Sequence, residues 1–507
     1  MHRLTLTILL LLAPTLAIAQ DRPPRELRQL DAWIAGALRD WEVPGLAVAV
    51  VKDDSIAFAR GYGVRALGST APVTTSTLFA NASTTKAFTA LAVGMMVDEG
   101  KLAWDDRAAD RLPTLRLRDP YAARELTLRD MLAHRVGFGD PGYLWYGTEL
   151  SADEMFRRLR FVEPQSSFRA RYAYNNVTYA AAGAIAGQAY GAGWDALVRD
   201  RILTPLGMTA TVTQGRFLPA DGDVALPHDR VRDTLGVIAG VGSLVDGIAP
   251  AGSMYSNVLD MSRWLRFLLR GGRLGDSALV RPATFAELFR PQTLIPRESF
   301  YPTARRTGTH FTAYGLGWFL QDYRGEFVAM HTGSIDGYVA IVGLVPEHRL
   351  GVVVFANRDH AELRHAIMLR VFDAYLGGPE RDWSAELKAM YDSLDARQAA
   401  RRAERAAERV RDTRPTLALE AYAGTYADSA RGAVAVRVAD GRLALSRSPF
   451  LTGTLEHWHF DTFAVHWDRG WLQPALVTFR IGPDGTVAGA EMDGVPFGRV
   501  SPTTGAR

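Results

Sequence analysis

A nearly uninterrupted apolar segment follows the short polar sequence Asn81-Ala-Ser-Thr-Thr-Lys86. Among residues 87–97 only Thr89 is polar, so a helix formed by this segment is apolar around its whole circumference. Helices with that pattern belong inside a protein rather than on its surface. The sequence therefore predicts a buried helix, and Ser83 and Lys86 lie at its entrance.

The alternation of apolar and polar residues elsewhere predicts a mixed architecture of the α/β (α+β) class. Apolar residues recurring at helical spacing predict helices, and period-two alternation between turn signals predicts strands. The predicted helices cover residues 26–41, 127–134, 153–159, 178–190, 257–269 and 365–375. The predicted strands cover residues 46–51 and 55–60, and then 315–321, 327–331, 337–345 and 350–356, which are spaced as an antiparallel meander.

The C-terminal part of the chain has a different pattern. Residues 382–412 are charged and rich in alanine, without glycine or proline, which predicts a solvated linker helix. Beyond residue 421 the chain offers short strands at 434–438, 443–446, 462–467, 475–481 and 488–492, divided by Asp-Gly turns. This spacing predicts a small all-β barrel or sandwich.

The first twenty residues read as a secretory signal. A basic start at His2 and Arg3 precedes an apolar stretch over residues 4–13 and the small-residue site Ala17-Ile18-Ala19. The apolar stretch is too short to span a bilayer, and no later segment reaches about 18 uninterrupted apolar residues. We therefore expect cleavage after Ala19 and a periplasmic or secreted protein without a stable membrane span.

Composition narrows the classes of partner. The 507-residue chain has 58 basic and 55 acidic residues and a net charge of +3, so its charge gives no reason to expect a nucleic-acid partner. It contains no cysteine, which excludes disulfides and thiolate metal ligands. Lysine occurs only at positions 52, 86, 101 and 388, so arginine serves wherever a general positive charge is sufficient.

Ser83 and Lys86 are the first candidates for chemistry. At a spacing of three residues on a helix their Cβ atoms lie about 5–6 Å apart, within hydrogen-bonding reach. A serine before an apolar helix is most often an N-cap, but a capping box needs Glu or Gln three residues later. A lysine there is unfavourable near the positive end of the helix dipole, and burial favours its neutral form, which is a base. The capping interpretation therefore leaves Lys86 unexplained.

Two further motifs follow in the chain. Tyr174-x-Asn176 precedes the small-residue helix predicted at 178–190, and His331-Thr-Gly333-Ser334 accompanies a predicted strand. Each has an ordinary alternative: Asn176 is a good N-cap, and Gly333 suits the close approach of two backbones. Ser-x-x-Lys is also a weak motif on its own. If all three motifs have only these ordinary roles, their order along the chain and their residue types agree by coincidence.

With these three motifs the chain resembles the penicillin-recognising serine hydrolases, the group of class C beta-lactamases, DD-peptidases, D-aminopeptidases and related esterases. The resemblance covers residues 26–375 and includes Pro205-Leu-Gly-Met208 and Gly315-Leu-Gly-Trp318. It implies a beta-lactamase/transpeptidase-like fold, with an antiparallel sheet flanked by helices and an all-helical region. The C-terminal part resembles the lipocalin-like barrel attached to many members. The implied domains are a signal peptide at 1–19, a hydrolase domain at 24–378, a helical linker at 379–414 and a β-barrel at 415–505.

The resemblance implies catalytic roles for the first two motifs. Ser83 is the implied nucleophile, and Lys86 and Tyr174 together activate it. A serine hydroxyl is a weak nucleophile until a neighbouring base takes its proton, so the chemistry needs such partners. Tyr174 can exchange that proton with the leaving group, and Asn176 is implied to position the substrate and the lysine. The implied reaction is acyl transfer through an ester on Ser83, with no cofactor and no metal.

The third motif is implied to form the substrate and oxyanion side of the site, with His331, Gly333 and Ser334. The backbone N–H groups of Ser83 and Ser334 are the implied oxyanion hole. His331 stands where the beta-lactamases of this group usually have a lysine that helps to bind a carboxylate, and histidine is mostly neutral near pH 7. This departure favours the esterase and D-aminopeptidase branches, with a small-molecule or peptide substrate.

Other functions stay open as alternatives. They are beta-lactamase or DD-peptidase activity, and a catalytically idle peptidoglycan- or peptide-binding protein with the same fold. The class A beta-lactamase arrangement fails because Glu163-Pro164 precedes Tyr174 instead of following the second motif. No Gly-x-Ser-x-Gly occurs, which disfavours hydrolases with a Ser-His-Asp triad.

One cluster superficially resembles a zinc site. His457, His459 and Asp461 form a His-x-His-x-Asp pattern, and strand alternation puts both histidines on one face. Thr462 stands where a further ligand is wanted, and the aromatic neighbours favour packing, so no metal is predicted. The C-terminal domain is instead expected to shape the cleft or to mediate an oligomer.

Overall fold

An eight-stranded antiparallel sheet forms the centre of the N-terminal part of the chain in the computed structural model, which describes residues 24–501. The predicted signal sequence and its cleavage site lie outside the described residues. Numbered along the chain, the strands are β1 (Gly45–Lys52), β2 (Ser55–Gly63), β3 (Thr293–Leu294), β4 (Thr312–Tyr314), β5 (Phe319–Tyr323), β6 (Glu326–Ile335), β7 (Tyr338–Val345) and β8 (Leu350–Ala356). Their spatial order is β2-β1-β8-β7-β6-β5-β4-β3.

The N-terminal hairpin completes this sheet, because β1 pairs antiparallel with both β2 and β8. Side chains alternate across a strand, so Val48 and Val50 join one hydrophobic core whereas Ala47 and Ala49 join another on the opposite face. Both faces of the central strands are therefore covered. This explains why β1, β7 and β8 are buried and apolar along nearly their whole length.

The longer helices of residues 24–501 are α1 (Leu30–Asp40), α2 (Thr85–Asp98), α3 (Asn176–Tyr190), α4 (Val258–Leu269), α5 (Leu363–Leu376) and α6 (Trp383–Ala407). α1 and α5 pack on one face of the sheet, and α2, α3 and α4 contribute to the core on the other. α2 is buried from Thr85 to Met96, as its apolar circumference predicts. Shorter helices lie at Ala108–Arg111, Pro120–Glu125, Leu128–Leu132, Ala152–Arg158, Gly193–Val198, Thr204–Leu206, Ala249–Gly252, Pro282–Leu288, Ala304–Thr307 and Leu419–Tyr422.

Helix α6 is solvated for most of its length but not at its start. Trp383 and Leu387 are fully buried, and the Trp383 indole N–H donates to Asp373 Oδ2 at 2.7 Å. The helix is therefore anchored to α5 before it extends into solvent. Neither α6 nor any other helix of residues 24–501 is both long and apolar enough to cross a membrane.

The C-terminal segment forms a closed antiparallel barrel, which decides between the predicted barrel and sandwich. Its strands are β9 (Gly424–Asp428), β10 (Gly432–Ala439), β11 (Arg442–Ser446), β12 (Thr452–His459), β13 (Thr462–Trp467), β14 (Ala475–Ile481), β15 (Val487–Met492) and β16 (Val495–Val500). The sequence analysis missed β9, β12 and β16. A bulge between His457 and His459 interrupts the alternation in β12, and Pro496 and Gly498 weaken the strand signal in β16.

The strand predicted at 315–321 starts later than expected. Residues 315–318 form a turn, and β5 begins at Phe319. Gly317 has φ +85°, and a Cβ atom on it would lie 3.0 Å from the carbonyl oxygen of Lys86. The glycine in this turn thus permits the chain to pass directly against the start of α2.

Candidate active site

Ser83 lies in a short 3₁₀ turn, Ala82–Thr84, that leads into α2. Ala82 adopts φ +46°, in the left-handed region that is uncommon for a residue with a side chain. Backbone strain of this kind persists only where the surrounding structure enforces it, and it is common at active sites. The turn leaves Ser83 partly exposed above the fully buried Lys86.

The amine of Lys86 is surrounded by uncharged acceptors. Lys86 Nζ lies 2.6 Å from Asn176 Oδ1, 2.8 Å from the carbonyl oxygen of Ala251 and 3.3 Å from Ser83 Oγ. Burial lowers the pKa of Lys86 to about 7, and the charge of Asp140 opposes this shift only in part. A neutral amine has two N–H groups and one lone pair, so it can donate to Asn176 and Ala251 while it accepts the proton of Ser83.

Tyr174 faces the same amine. Lys86 Nζ lies 4.7 Å from the centroid of the Tyr174 ring. Burial raises the pKa of Tyr174 well above its usual value, and the neighbouring Ser83 hydroxyl opposes this shift. The ring packs on His134 at a centroid distance of 4.3 Å, and His134 Nδ1 accepts the backbone N–H of Asn175 at 3.1 Å. Tyr174 is therefore held as a neutral phenol beside the lysine and the serine.

Asn176 is oriented by a carboxylate that the sequence analysis did not identify. Asp140 accepts the backbone N–H of Asn176 at 2.8 Å and its side-chain amide N–H at 2.9 Å. The amide oxygen of Asn176 therefore points to Lys86. The cap of α3 is Asn175, whose side chain accepts the N–H of Thr178, so the N-cap interpretation of Asn176 is wrong.

Gly333 brings β6 directly against the serine turn. A Cβ atom at position 333 would lie 2.2 Å from the carbonyl oxygen of Asn81 and 3.0 Å from the backbone nitrogen of Ser83. Only glycine therefore permits this approach, which sets the exposed Ser334 beside the serine turn. The close-approach interpretation of Gly333 is therefore confirmed, and its role in the site stays a prediction.

His331 lies beneath the site and not in its cavity. The Tyr314 hydroxyl lies 2.9 Å from His331 Nε2, and His331 Nδ1 lies 2.6 Å from the carbonyl oxygen of Thr332, so both ring nitrogens have partners. Burial and the charge of Lys86 lower the pKa of His331 to about 3. The imidazole is therefore neutral, and its ring packs beneath the ring of Tyr174.

The motifs meet at a cavity of about 470 Å³. Two of its walls come from segments that the sequence analysis did not assign to the site, the turn at residues 299–302 and the start of α5. Nothing in their sequence marks them, because their approach depends on the long-range pairing of the sheet. The cavity is lined by Ser83, Tyr172, Tyr174, Asn176, Ser299, Phe300, Tyr301, Pro302, Phe319, Thr332, Ser334 and Arg364.

Arg364 is a buried cation whose hydrogen bonds hold the end of β6. Its Nη1 donates to the carbonyl oxygen of Gly333, to Ser334 Oγ at 3.0 Å and to the carbonyl oxygen of Ala340 at 3.1 Å. Its Nε and Nη2 donate to the two carboxylate oxygens of Glu362 at 3.1 and 3.0 Å. Helix α5 also carries Arg370 and Asp373, so its sequence does not distinguish Arg364 from the other charged residues.

The barrel reaches the same end of β6 through Asp336. The indole N–H of Trp471, between β13 and β14, donates to Asp336 Oδ2 at 3.1 Å, and the Tyr146 hydroxyl donates to the same oxygen. Asp336 follows Ser334 by two residues, in the turn between β6 and β7. A residue of the barrel therefore holds the turn next to the candidate site.

The residues of the suspected zinc motif have separate partners. His457 Nε2 lies 2.9 Å from the carbonyl oxygen of Phe460, and His459 Nδ1 accepts the backbone N–H of Val410 at 3.3 Å. Asp461 accepts the Tyr422 hydroxyl and both donors of Thr416. Residues 24–501 hold no group of three or more side chains arranged to bind a metal ion.

The fold and the contacts among Ser83, Lys86 and Tyr174 indicate the class of serine hydrolases related to beta-lactamases. A family model confirms the class: residues 30–375 match the Beta-lactamase family, and the chain belongs to that family. Residues 408–503 match a domain of unknown function, DUF3471.

Known relatives agree with this class. The chain is 28% identical over 487 residues to Unguisins hydrolase ungD of Aspergillus violaceofuscus, covering 85% of this chain and 81% of the relative. It is 30% identical over 332 residues to Penicillin-binding protein 4 of Amycolatopsis lactamdurans, covering 63% of this chain and 83% of the relative. The octameric penicillin-binding protein homologue from Pyrococcus abyssi has the same fold, with a TM-score of 0.60, 21% identity and coverage of 92% and 98%.

We predict that Gly333→Ala lowers kcat/KM for an aryl ester by about 100-fold, because an added methyl group pushes β6 away from the serine turn and small displacements at a reacting centre have effects of this size. Gly236→Ala is the matched control in a strand, since a Cβ atom there meets nothing within 4 Å. Steady-state kinetics and thermal unfolding of both variants check this. Full activity of Gly333→Ala contradicts the close approach.

We predict that Trp471→Phe lowers kcat/KM by about tenfold, because the hydrogen bond to the Asp336 carboxylate is lost while an aromatic side chain is kept. Trp458→Phe, on the same barrel next to Arg409, makes the same chemical change away from Asp336 and should leave kcat/KM unchanged. Kinetics and the melting temperature of each variant are compared. Equal losses in both variants would refute a specific role of the Trp471 contact.

Proposed function

We propose that the protein is an exported serine hydrolase that cleaves an ester or amide through an acyl-enzyme on Ser83, of the esterase or D-amino-acid peptidase type. One observation carries the proposal: a fully buried lysine amine, with a pKa of about 7, lies 3.3 Å from the hydroxyl of Ser83. A buried lysine that pairs with uncharged acceptors has no evident structural purpose. As a base beside a serine, the buried lysine has a chemical purpose.

Acylation then proceeds by transfer of the Ser83 proton to Lys86 Nζ as the serine oxygen attacks the carbonyl carbon. The carbonyl oxygen becomes an oxyanion, for which the N–H groups of Ser83 and Ser334 are the proposed donors. Tyr174, a neutral phenol, gives its proton to the leaving group and regains one from Lys86. The ester on Ser83 is finally hydrolysed by water, with the proton transfers reversed.

The known relatives support the assignment of the chain to the serine hydrolases. A relative named a hydrolase aligns with 85% of this chain, and another named a penicillin-binding protein aligns with 63% of it. The neutral His331 favours the esterase or D-aminopeptidase type over beta-lactamase or DD-peptidase activity, since the lysine that helps to bind a carboxylate is absent from that position.

Export and assembly are further parts of the proposal. We propose cleavage of residues 1–19 and a periplasmic or secreted location from the sequence of that segment. The octameric relative supports an oligomer, for which the C-terminal domain is the proposed contact surface. The domain boundaries at residues 378 and 414 stay predictions.

We predict that Ser83→Ala abolishes labelling by a fluorophosphonate and lowers ester hydrolysis by at least about 1,000-fold, because the nucleophile is lost. Ser69→Ala, an exposed serine of the same domain, is the control and should behave as the unmodified protein. Labelling by a fluorescent penicillin as well would favour a penicillin-recognising enzyme. Full turnover by Ser83→Ala, or no labelling of the unmodified protein, would contradict the proposal.

We predict that kcat/KM rises with pH and levels off above about pH 7, because protonated Lys86 cannot accept the serine proton and its pKa is lowered to about 7 by burial. An ordinary lysine, with a pKa of 10.5, would place this rise more than three pH units higher. The measurement is a pH profile of kcat/KM for a neutral ester. Lys86→Arg, which keeps the charge but cannot lose it, should be inactive at every pH.

A further inference from the structure

The cavity beside Ser83 lies on the side from which the leaving group departs. This assignment rests on the proposed function, in which Tyr174 gives its proton to the leaving group. Tyr174 lines the cavity together with Tyr172, Phe300, Tyr301 and Phe319. The alcohol or amine part of the substrate therefore occupies the part of the cavity next to Tyr174 during acylation.

One part of the wall of this cavity is a cluster of aromatic rings. Phe319 is at its centre, with ring centroids 5.2 Å from Tyr301, 5.6 Å from Phe300 and 6.3 Å from Tyr172. Edge-to-face packing of this kind fixes the rings in place and presents an apolar surface. This aromatic part of the cavity thus provides little solvation for a charged group.

Two polar side chains of the cavity, Thr332 and Arg364, are already engaged with the protein. Thr332 Oγ1 is bonded to the Tyr301 hydroxyl. Arg364 is the only residue with a permanent positive charge among the described residues that line the cavity. Its guanidinium is 3% exposed, forms two hydrogen bonds to the carboxylate of Glu362 and makes its remaining contacts with β6 and β7.

The charge of Arg364 is therefore balanced within the protein. Glu362 is itself buried, and the charge of Arg364 keeps its pKa well below its usual value despite burial, so the pair is ionised and neutral overall. A substrate carboxylate would have to displace Glu362, which would leave a buried charge without a partner. A further carboxylate, Asp336, follows Ser334 by two residues in the turn at this end of β6 and disfavours an anion there.

We infer that this enzyme takes substrates whose leaving group is uncharged and apolar or aromatic, and that it rejects leaving groups that carry a free carboxylate. Neutral esters and amides within or at the blocked end of a peptide belong to the first class. Peptides cleaved at a free C-terminal residue belong to the second, as do bicyclic beta-lactams, whose departing nitrogen belongs to a ring that carries a carboxylate.

Two aryl esters of phenylacetic acid test the inference. Their leaving groups, 3-hydroxybenzamide and 3-hydroxybenzoate, are similar in size and differ in charge. We expect kcat/KM for the carbamoyl ester to exceed that for the carboxy ester by at least about tenfold, because the carboxylate enters without a partner. Equal values would overturn the inference.

A variant with a new cation tests the same point in the opposite direction. Ser299 is exposed at the rim of the cavity, so Ser299→Lys adds a positive charge where the carboxylate would lie. We expect a several-fold rise in kcat/KM for the carboxy ester alone. Ser277→Lys, an equivalent change on a remote exposed hairpin, should leave both values unchanged. A ratio of the two esters that Ser299→Lys does not alter would also overturn the inference.

The failure of this inference can be distinguished from failure of the proposed function. If both esters are cleaved equally well and fluorophosphonate labels Ser83, acyl transfer stands and only the leaving-group selectivity is wrong. If neither ester is cleaved and Ser83 is not labelled, the proposed function itself fails, and the selectivity falls with it.

Discussion

The desolvation of one lysine amine is the constraint on which the site depends. Transfer of a charged ammonium group into a protein interior is costly, and a protein can relieve that cost with a carboxylate partner or by loss of the proton. Here the contacts of Lys86 Nζ are an amide oxygen, a carbonyl oxygen and a hydroxyl, which are all neutral. The surroundings therefore lower the pKa of the amine toward neutrality, and a base becomes available beside Ser83.

The position of Asp140 explains why the pKa of Lys86 stays low although a carboxylate is nearby. A carboxylate in direct contact with Lys86 would favour the charged amine. Asp140 instead bonds to the backbone and side-chain N–H groups of Asn176, and the amide oxygen of Asn176 contacts the lysine. Its charge therefore acts on Lys86 without direct contact, because Asn176 lies between them. It opposes part of the lowering of the Lys86 pKa that burial causes.

The sequence predicted the parts of the site that local rules govern. Ser83 and Lys86 are three residues apart at the start of an apolar helix, so helical geometry alone brings them together. It could not predict Asp140 or Arg364, because their partners Asn176 and Ser334 are 36 and 30 residues away and no periodicity links such pairs. It also could not predict that the side chain of His331 lies beneath the cavity, since that depends on which face of β6 packs against Tyr314.

The same distinction explains why the contacts between the barrel and the site could not be predicted from the sequence. The strands of the barrel follow a pattern of their own, yet residues 143–147 of the hydrolase region are held by it: Arg447 donates to the carbonyl oxygen of Tyr143, and Ser448 to that of Gly147. Within this loop Trp145 donates to Asp140 at 2.9 Å and Tyr146 donates to Asp336. One loop thus supports the lysine side of the site through Asp140 and the end of β6 through Asp336. Because the barrel fixes that loop, it forms part of the structural support of the site.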